Sequence, residues 1–196
     1  PGSRSQGSRF GRGKPATRGA EDSYARHNEL SIDTVGRGGR NGPASAGMLA
    51  PDQVETLNSW LNKLSSSDWK SRIGAIDGLV DFLKRHRDVC RAKCVGIVDA
   101  MEPRLNDSNA KVQTRALEAM EDMVLALGNC LTAVIEVLVP TIGNCIASTH
   151  GANAALASGV VDCLFGCVDK TALVKAMCKT ISFGNTRVKS AMLNKL

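Results

Sequence analysis

The sequence predicts an all-α protein, in which an α-solenoid of about four helical hairpins follows a disordered tail. Three observations lead to this fold class. From position 51 onward the chain is rich in Ala, Leu, Val and Met, and aromatics make up only 4% of the sequence, which favours helices over a β-sandwich. Apolar residues there recur at spacings of three and four. Polar breaks return at intervals of roughly 34 to 42 residues, the period of stacked helical repeats.

The first 49 residues differ in composition from the rest. Through Ala50 the chain has eight Lys or Arg against four Asp or Glu and ten of the 19 glycines, but no Leu, Ile or Val before Leu30. Such a segment cannot bury enough apolar surface to offset the entropy lost on ordering. We therefore expect a disordered basic linker over residues 1–49 and one folded domain over residues 50–196.

The first hairpin begins at Pro51, which suits the first helical position because its missing N–H would have no partner there. Apolar residues at 54, 57, 61 and 64 then define one amphipathic helix. After a polar break at 65–68, a second helix carries Ile73, Ile76 and Leu79 on one face. We expect Trp60, beside the apolar Leu61, to pack in the core.

The same pattern recurs three times. Segments 95–105 and 112–123 flank a break at 106–109, segments 131–147 and 154–168 flank one at 148–151, and segments 173–183 and 188–193 flank one at 184–186. The Asp, Ser, Asn and Gly of these breaks suit tight turns with side-chain caps. The period suits HEAT-type repeats, and turns inside successive hairpins of a solenoid align along one edge.

The sequence indicates neither a disulfide framework, nor a cofactor, nor an enzyme. Its seven cysteines are odd in number and lie within apolar helical patterns, and the pairs four residues apart have no second ligand pair for zinc. We expect them to be small apolar side chains in a reducing compartment. The three histidines lie in different segments, and no phosphate-binding glycine loop or nucleophile with an adjacent base is evident.

A long apolar stretch from Met123 to Val161 contains one acidic residue, Glu136, and no Lys or Arg. Gly128, Pro140 and Gly143 should interrupt it, so we expect buried helices of a domain and no membrane span. The N-terminus lacks the basic-then-apolar order of a signal peptide, so we expect no export.

The predicted edge carries the candidate binding residues. Trp69 falls in the first polar turn, with Lys70 and Arg72 just after it, so its indole either anchors a partner or folds back over the hairpin. The later breaks add Lys111, His150, Arg187 and Lys189. Recurrence of cations at the same repeat position predicts an acidic partner.

The two runs that best define these breaks resemble a TOG domain: Leu64-Ser-Ser-Ser-Asp-Trp-Lys-Ser-Arg-Ile-Gly-Ala-Ile and Asn106-Asp-Ser-Asn-Ala-Lys-Val-Gln-Thr-Arg-Ala-Leu. TOG domains are HEAT-repeat domains of microtubule polymerases, CLASP proteins and crescerins. The resemblance implies a non-catalytic module that binds αβ-tubulin or the microtubule lattice through its intra-repeat loops. It also implies regulation of microtubule dynamics or organisation in the cytoplasm and cytoskeleton, including the spindle or cilium.

Carried over by motif, the resemblance implies tubulin contacts in three loops, while His150 in the third loop matches no motif of the family. The implied residues are Trp69, Lys70 and Arg72, then Asn109 and Lys111, then Asn185, Arg187 and Lys189. TOG domains have six repeats and this chain supplies about four, so the resemblance implies a partial or atypical domain.

Two alternatives stay open. The domain could be a HEAT-type scaffold for a protein other than tubulin, including other cytoskeletal proteins. The tail, with Arg12-Gly13, Arg18-Gly19 and Gly36-Arg37-Gly38-Gly39-Arg40, resembles a sparse RNA-binding segment. Its arginines are too few for a dense arginine-glycine tract, so we favour a linker and do not expect a nucleic-acid partner.

Overall fold

The structure, a computed structural model, describes residues 50–196. These residues form nine α-helices and one 3₁₀ segment, without a β-strand among them. The prediction of an all-α solenoid is confirmed for this part of the chain. In chain order the elements are α1 (Pro51–Leu64), α2 (Trp69–Arg85), α3 (Arg87–Ala92), α4 (Cys94–Leu105), α5 (Ala110–Leu127), the 3₁₀ segment (Gly128–Val134), α6 (Ile135–Ile146), α7 (Gly151–Cys167), α8 (Lys170–Phe183) and α9 (Thr186–Leu193).

Four hairpins stack in two layers. The pairs are α1 with α2, α4 with α5, α6 with α7, and α8 with α9. The first helices contact one another in the order α1, α4, α6, α8, and the second helices in the order α2, α5, α7, while α9 packs on α8 and α6. Each hairpin thus buries its apolar faces against the next, which is how a solenoid builds a continuous core.

The hydrogen bonds between hairpins repeat at the period that the sequence predicts. Arg115 donates to Asp77 across 38 residues, Thr141 to Glu102 across 39, and Lys179 to Glu136 across 43. The backbone N–H of Asp169 likewise donates to Asn129 across 40 residues. Each repeat therefore contacts the equivalent position of its neighbour.

Close approach of α1 and α2 depends on a glycine. The Trp60 indole lies over Gly78, where an added Cβ would come within 2.8 Å of the ring. Trp60 is half-buried and packs against the apolar core, so the prediction for this residue is confirmed. The buried side chains around it are mainly Leu, Ile, Val, Met and Ala, whose small sizes suit closely packed helices.

Three boundaries differ from the sequence prediction. The helix expected from Leu131 begins at Ile135, because the chain turns at Gly128, whose φ is +56°, and continues as a 3₁₀ segment. The short helix α3 was not predicted, since six residues are too few for a periodic pattern. Pro140 and Gly143 do not interrupt α6 but lie within it, because tertiary packing outweighs the cost of one lost backbone hydrogen bond.

One run, Ala110–Ile146, is long and apolar enough to cross a membrane by length and composition. Half of its most apolar window is buried inside the domain, and Gly128 divides it between two helices. These contacts fit the expectation of core helices. The predicted linker over residues 1–49 lies outside the described residues.

The seven cysteines are all free thiols. Cys90, Cys94 and Cys145 are buried in the apolar core, and burial raises the pKa of each thiol to about 11. Because a thiolate would be poorly solvated there, these groups stay protonated at neutral pH and act as small apolar side chains, as the sequence predicts.

Candidate functional site

The turns inside the four hairpins form what we call the loop edge: residues 65–68, 106–109, 147–150 and 184–185. Side-chain bonds join its first three members. Arg72, just after the first turn, pairs with Asp107 in the second. Gln113 and Asn153, just after the second and third turns, are hydrogen-bonded. The first three loops are therefore neighbours along one edge, and Asn185 of the fourth loop lines a groove together with Asn144, which lies shortly before the third.

Side-chain caps fix the backbone at three of the four turns. Asp68 Oδ2 accepts from the Ser71 N–H at 2.9 Å and from the Ser71 hydroxyl at 2.7 Å, and these bonds hold the pKa of Asp68 below its ordinary value. Asn109 Oδ1 accepts from the N–H of Lys111 at 3.0 Å. Asn185 Oδ1 accepts from the N–H of Val188, also at 3.0 Å. The third turn has no side-chain cap, and His150 there is exposed.

Trp69 lies where the first two loops meet. It is the first residue of α2 and not a turn residue as the sequence suggested, because Asp68 caps the helix one position earlier. The indole is half-buried and packs partly against the core. Lys111 Nζ lies 5.2 Å and Lys70 Nζ 5.8 Å from its ring centroid, within cation–π distance. Two ammonium groups from successive loops thus surround one partly exposed aromatic ring.

Arg72 is positioned differently from the other predicted binding residues. It is only 8% exposed, and its Nη1 donates to the carbonyls of Ser66 at 2.8 Å and Ser67 at 3.0 Å. Its Nη2 donates to Asp107 Oδ1 at 2.9 Å. The guanidinium therefore holds the first turn closed and ties it to the second.

Asp107 is the centre of this network, and sequence reasoning did not select it. Its side chain is 3% exposed and accepts from Arg72, from Arg104 Nη1 at 3.0 Å and from the N–H of Asn109 at 2.9 Å. An Asp two residues before a helix cap was visible in the sequence. Its pairing with an Arg 35 positions earlier was not, since only the stacking of the hairpins brings them together.

A second polar network joins the second and third loops. Asn153, 3% exposed, donates to Gln113 Oε1 at 2.8 Å and accepts from the Thr114 hydroxyl at 2.7 Å. Gln113 in turn donates to the carbonyl of Leu105 at 2.9 Å. A chain of satisfied, partly buried hydrogen bonds fixes relative orientation more strictly than apolar contact does, so the second and third loops have a defined spacing.

The fourth loop carries a different set of groups. Arg187 is exposed, Lys189 is half-buried, and the Phe183 side chain just before the turn is 85% exposed. Phe183 borders a groove of about 380 Å³ that is also lined by Asn144 and Asn185. In the sequence, Phe183 ends the apolar segment 173–183, and no role was predicted for it. Its position directly before the turn residues Gly184-Asn185 could have identified Phe183 as a candidate binding residue.

The predicted binding residues therefore fall into two groups. Trp69, Lys70 and Lys111 lie together at the first two loops, with Asn109 adjacent and Arg72 beneath them. The second group is at the fourth loop, consisting of Asn185, Arg187 and Lys189, and the third hairpin separates the two. Within residues 50–196 no group of three or more His, Cys, Asp or Glu side chains could hold a metal ion.

Two known proteins of the same name, from two organisms, are similar to most of this chain. No family model matches the chain. The TOG array regulator of axonemal microtubules protein 1 of Homo sapiens is 33% identical over 146 residues, which cover 74% of this chain and 8% of the relative. The protein of the same name from Mus musculus is 34% identical over 146 residues, with the same coverage of 74% and 8%. The chain thus corresponds to a small segment of these much longer relatives.

Proposed function

This chain is homologous to a segment of the TOG array regulators of axonemal microtubules, in agreement with its resemblance to a TOG domain, and from this relationship we propose that it binds tubulin through its loop edge. Binding is non-catalytic and serves to regulate microtubule dynamics or organisation. The names of the relatives refer to axonemal microtubules, so the proposal includes the cilium as one place of action.

The observation that carries the proposal is the Trp69 indole between Lys70 and Lys111. A rigid aromatic ring loses little conformational entropy on binding, and its partial exposure leaves a surface for a partner. The two ammonium groups add attraction for an acidic surface, which increases the rate of encounter and orients it. Neither feature needs the folded domain as a whole to be strongly basic.

The other predicted residues take roles that follow from their contacts. Arg72 positions the first loop, because its guanidinium is engaged with Ser66, Ser67 and Asp107. Asn109 acts through the backbone that it caps, and Asn185 does the same at the fourth loop. Arg187 and Lys189 make a separate contact, farther along the partner.

The direct test mixes the full chain with unpolymerised tubulin and follows co-elution by gel filtration with light scattering. Trp69→Glu should lower affinity at least about thirtyfold, because it removes an aromatic anchor and adds a charge that repels an acidic partner. Val137→Glu is the matched control, since Val137 is 54% exposed near the start of α6, away from the loop edge. Co-sedimentation with polymerised microtubules separates a preference for the lattice from one for the dimer.

Equal binding by Trp69→Glu and wild type would remove Trp69 from the site. Absence of binding by the wild type to either form of tubulin would overturn the proposal. In that case the alternative is a HEAT-type scaffold for another protein, which the exposed Phe183 and its groove favour. Phe183→Ser would then impair capture of that partner while Trp69→Glu would not.

A further inference from the structure

A second basic surface lies at the other end of the hairpins. Residues 84–93 contain five cations, Lys84, Arg85, Arg87, Arg91 and Lys93, and one acidic residue, Asp88. We call these five residues the connector cluster, and all five are exposed. The sequence from Pro51 to Leu196 has 17 Lys or Arg against 15 Asp or Glu, so outside residues 84–93 it has 12 against 14. This short segment therefore accounts for the whole positive excess of the folded domain.

The connector cluster is remote from the loop edge. Helix α2 runs from Trp69 to Arg85, so its ends are about 24 Å apart at 1.5 Å per residue. Helix α3 lies against the end of α5, where Arg91 Nε donates to the carbonyl of Ala126 at 3.2 Å. A partner bound here would leave the loop edge free.

Internal interactions account for only part of the cluster. Lys84 Nζ lies 3.1 Å from Asp122 Oδ2, and Arg85 Nε donates to the carbonyl of Asp81. Cations at a helix C-terminus also complement the helix dipole. Arg87 and Lys93, however, make no side-chain hydrogen bond or ion pair with any residue from 50 to 196. The one carboxylate that forms an ion pair with the cluster among residues 50–196 is that of Asp122.

Two exposed aliphatic side chains lie near these charges, Leu125 on the contacted helix α5 and Val95 close to Lys93 in sequence. Leu125 is 61% exposed and lies one turn after Asp122 on α5, next to the residue whose carbonyl Arg91 contacts. Val95 is 52% exposed and follows Lys93 by two positions at the start of α4. The surface therefore offers charge and apolar contact together.

We propose that the connector cluster, with Leu125 and Val95, binds an acidic, extended polypeptide segment that also carries aliphatic side chains. Ion pairs with the cluster would set the position of the segment, and the two aliphatic side chains would add contact area. Exposed ion pairs are individually weak, so affinity comes from several of them and falls as salt rises.

The chemistry of the surface favours a polypeptide over nucleic acid or lipid. Single-stranded nucleic acid is bound on aromatic stacking platforms, but Phe82 is buried and the His86 ring already lies 4.6 Å from the Phe82 ring. Membrane-surface helices need a long apolar face, whereas α3 has six residues and its Val89 and Cys90 are buried. The first 50 residues of the chain carry eight cations against four anions, so their charge does not suit this surface.

The test uses the full chain and a fluorescein-labelled peptide of Glu-Glu-Glu-Leu repeats, about twelve residues long, in fluorescence anisotropy at about 50 mM salt. Arg87→Gln with Lys93→Gln should weaken binding about fivefold. Neither side chain has an internal partner among residues 50–196, so the fold should be kept, and circular dichroism checks this. Lys170→Gln with Lys175→Gln is the matched control, because both lysines are exposed on α8, away from the cluster, and the net charge changes by the same amount.

Leu125→Ser should weaken binding of the Leu-containing peptide about twofold or more. It should leave binding of an oligoglutamate of equal length unaffected. The proposal is overturned if the wild type does not bind the peptide, or if the control pair loses as much affinity as the cluster pair, which would indicate attraction by net charge alone. Tighter binding of a uridine oligomer or of phosphatidylserine vesicles would also overturn it. Trp69→Glu should leave peptide binding unchanged, so this result is independent of the proposed tubulin site.

Discussion

Arg72 and Asp107 form an ion pair at 2.9 Å that joins the first two turns of the loop edge, with side chains only 10% and 3% exposed. Because Asp107 also accepts from the N–H of Asn109, the pair determines where α5 begins relative to α2. That relationship places Lys111 over the Trp69 ring. The position of the exposed binding groups thus depends on a buried ion pair beneath them.

Asp107→Asn should destabilise the domain by about 3 kcal/mol. The substitution removes the charge that neutralises two largely buried guanidiniums, and an uncompensated buried charge is costly. Thermal or urea unfolding measures the loss. Asp77→Asn is the matched control, since Asp77 pairs with Arg115 at the surface and should cost about 0.5 kcal/mol or less. Equal losses for the two variants would contradict a special role for Asp107.

Gly78→Ala should destabilise the domain by about 1 to 3 kcal/mol, because the new Cβ would overlap the Trp60 ring. Gly74→Ala, one turn earlier in the same helix, has nothing within 4 Å of the new atom and should stabilise the domain by about 0.5 to 1 kcal/mol. Urea unfolding compares both with the wild type. If both variants were stabilised, the indole would not be packed against Gly78.

Because of Asp68, the folding stability of the domain should depend on pH in the acidic range. The pKa of Asp68 in the folded protein lies below the ordinary value of 3.8, chiefly because the carboxylate accepts a hydrogen bond from the Ser71 side chain. The contribution of this carboxylate to folding stability is therefore fully present above that value. The contribution is lost as pH falls through the lowered pKa. The stability difference between wild type and Asp68→Asn should therefore shrink from about pH 5 to about pH 2. Melting temperatures across this range test it, and a difference that grows in acid would have the wrong sign.

Lys111→Ala should weaken tubulin binding about three- to tenfold, because it removes a cation beside the Trp69 ring. It should also reduce the salt dependence of the affinity, since one fewer charge contact is made. Titrations at two salt concentrations measure both effects. Lys175→Ala, an exposed lysine on α8, is the control that should change neither. If the loss of affinity were the same at both salt concentrations, Lys111 would support the structure of the site and would not make a charge contact with tubulin.

The thiols should differ widely in reactivity. Cys178 is exposed and should react first with a maleimide at neutral pH, whereas Cys90, Cys94 and Cys145 are buried, with pKa values raised to about 11. Mass spectrometry after a short labelling pulse identifies the modified residues. Cys178→Ser should abolish the fastest phase, and rapid labelling of Cys145 in the folded protein would mean that the core opens readily.

Local sequence patterns were sufficient for the hairpins and their caps. The spacing of apolar residues predicted the helices, and Asp68, Asn109 and Asn185 cap them because short polar side chains reach the free N–H groups of the next turn. Predictions failed where no period exists, as in the six residues of α3, or where packing overrides a local preference, as at Pro140 within α6.

For this protein the sequence alone determined the fold class, the repeat period, the positions of the turns and the resemblance to TOG domains. These depend on patterns within about one helical turn or on recurrence along the chain. Tertiary structure alone decided that Arg72 is engaged internally, that Asp107 organises two loops and that Lys111 lies over Trp69. The Arg72–Asp107 and Lys111–Trp69 contacts join residues 35 positions apart or more, and such pairs meet only when the hairpins stack to bury their apolar faces.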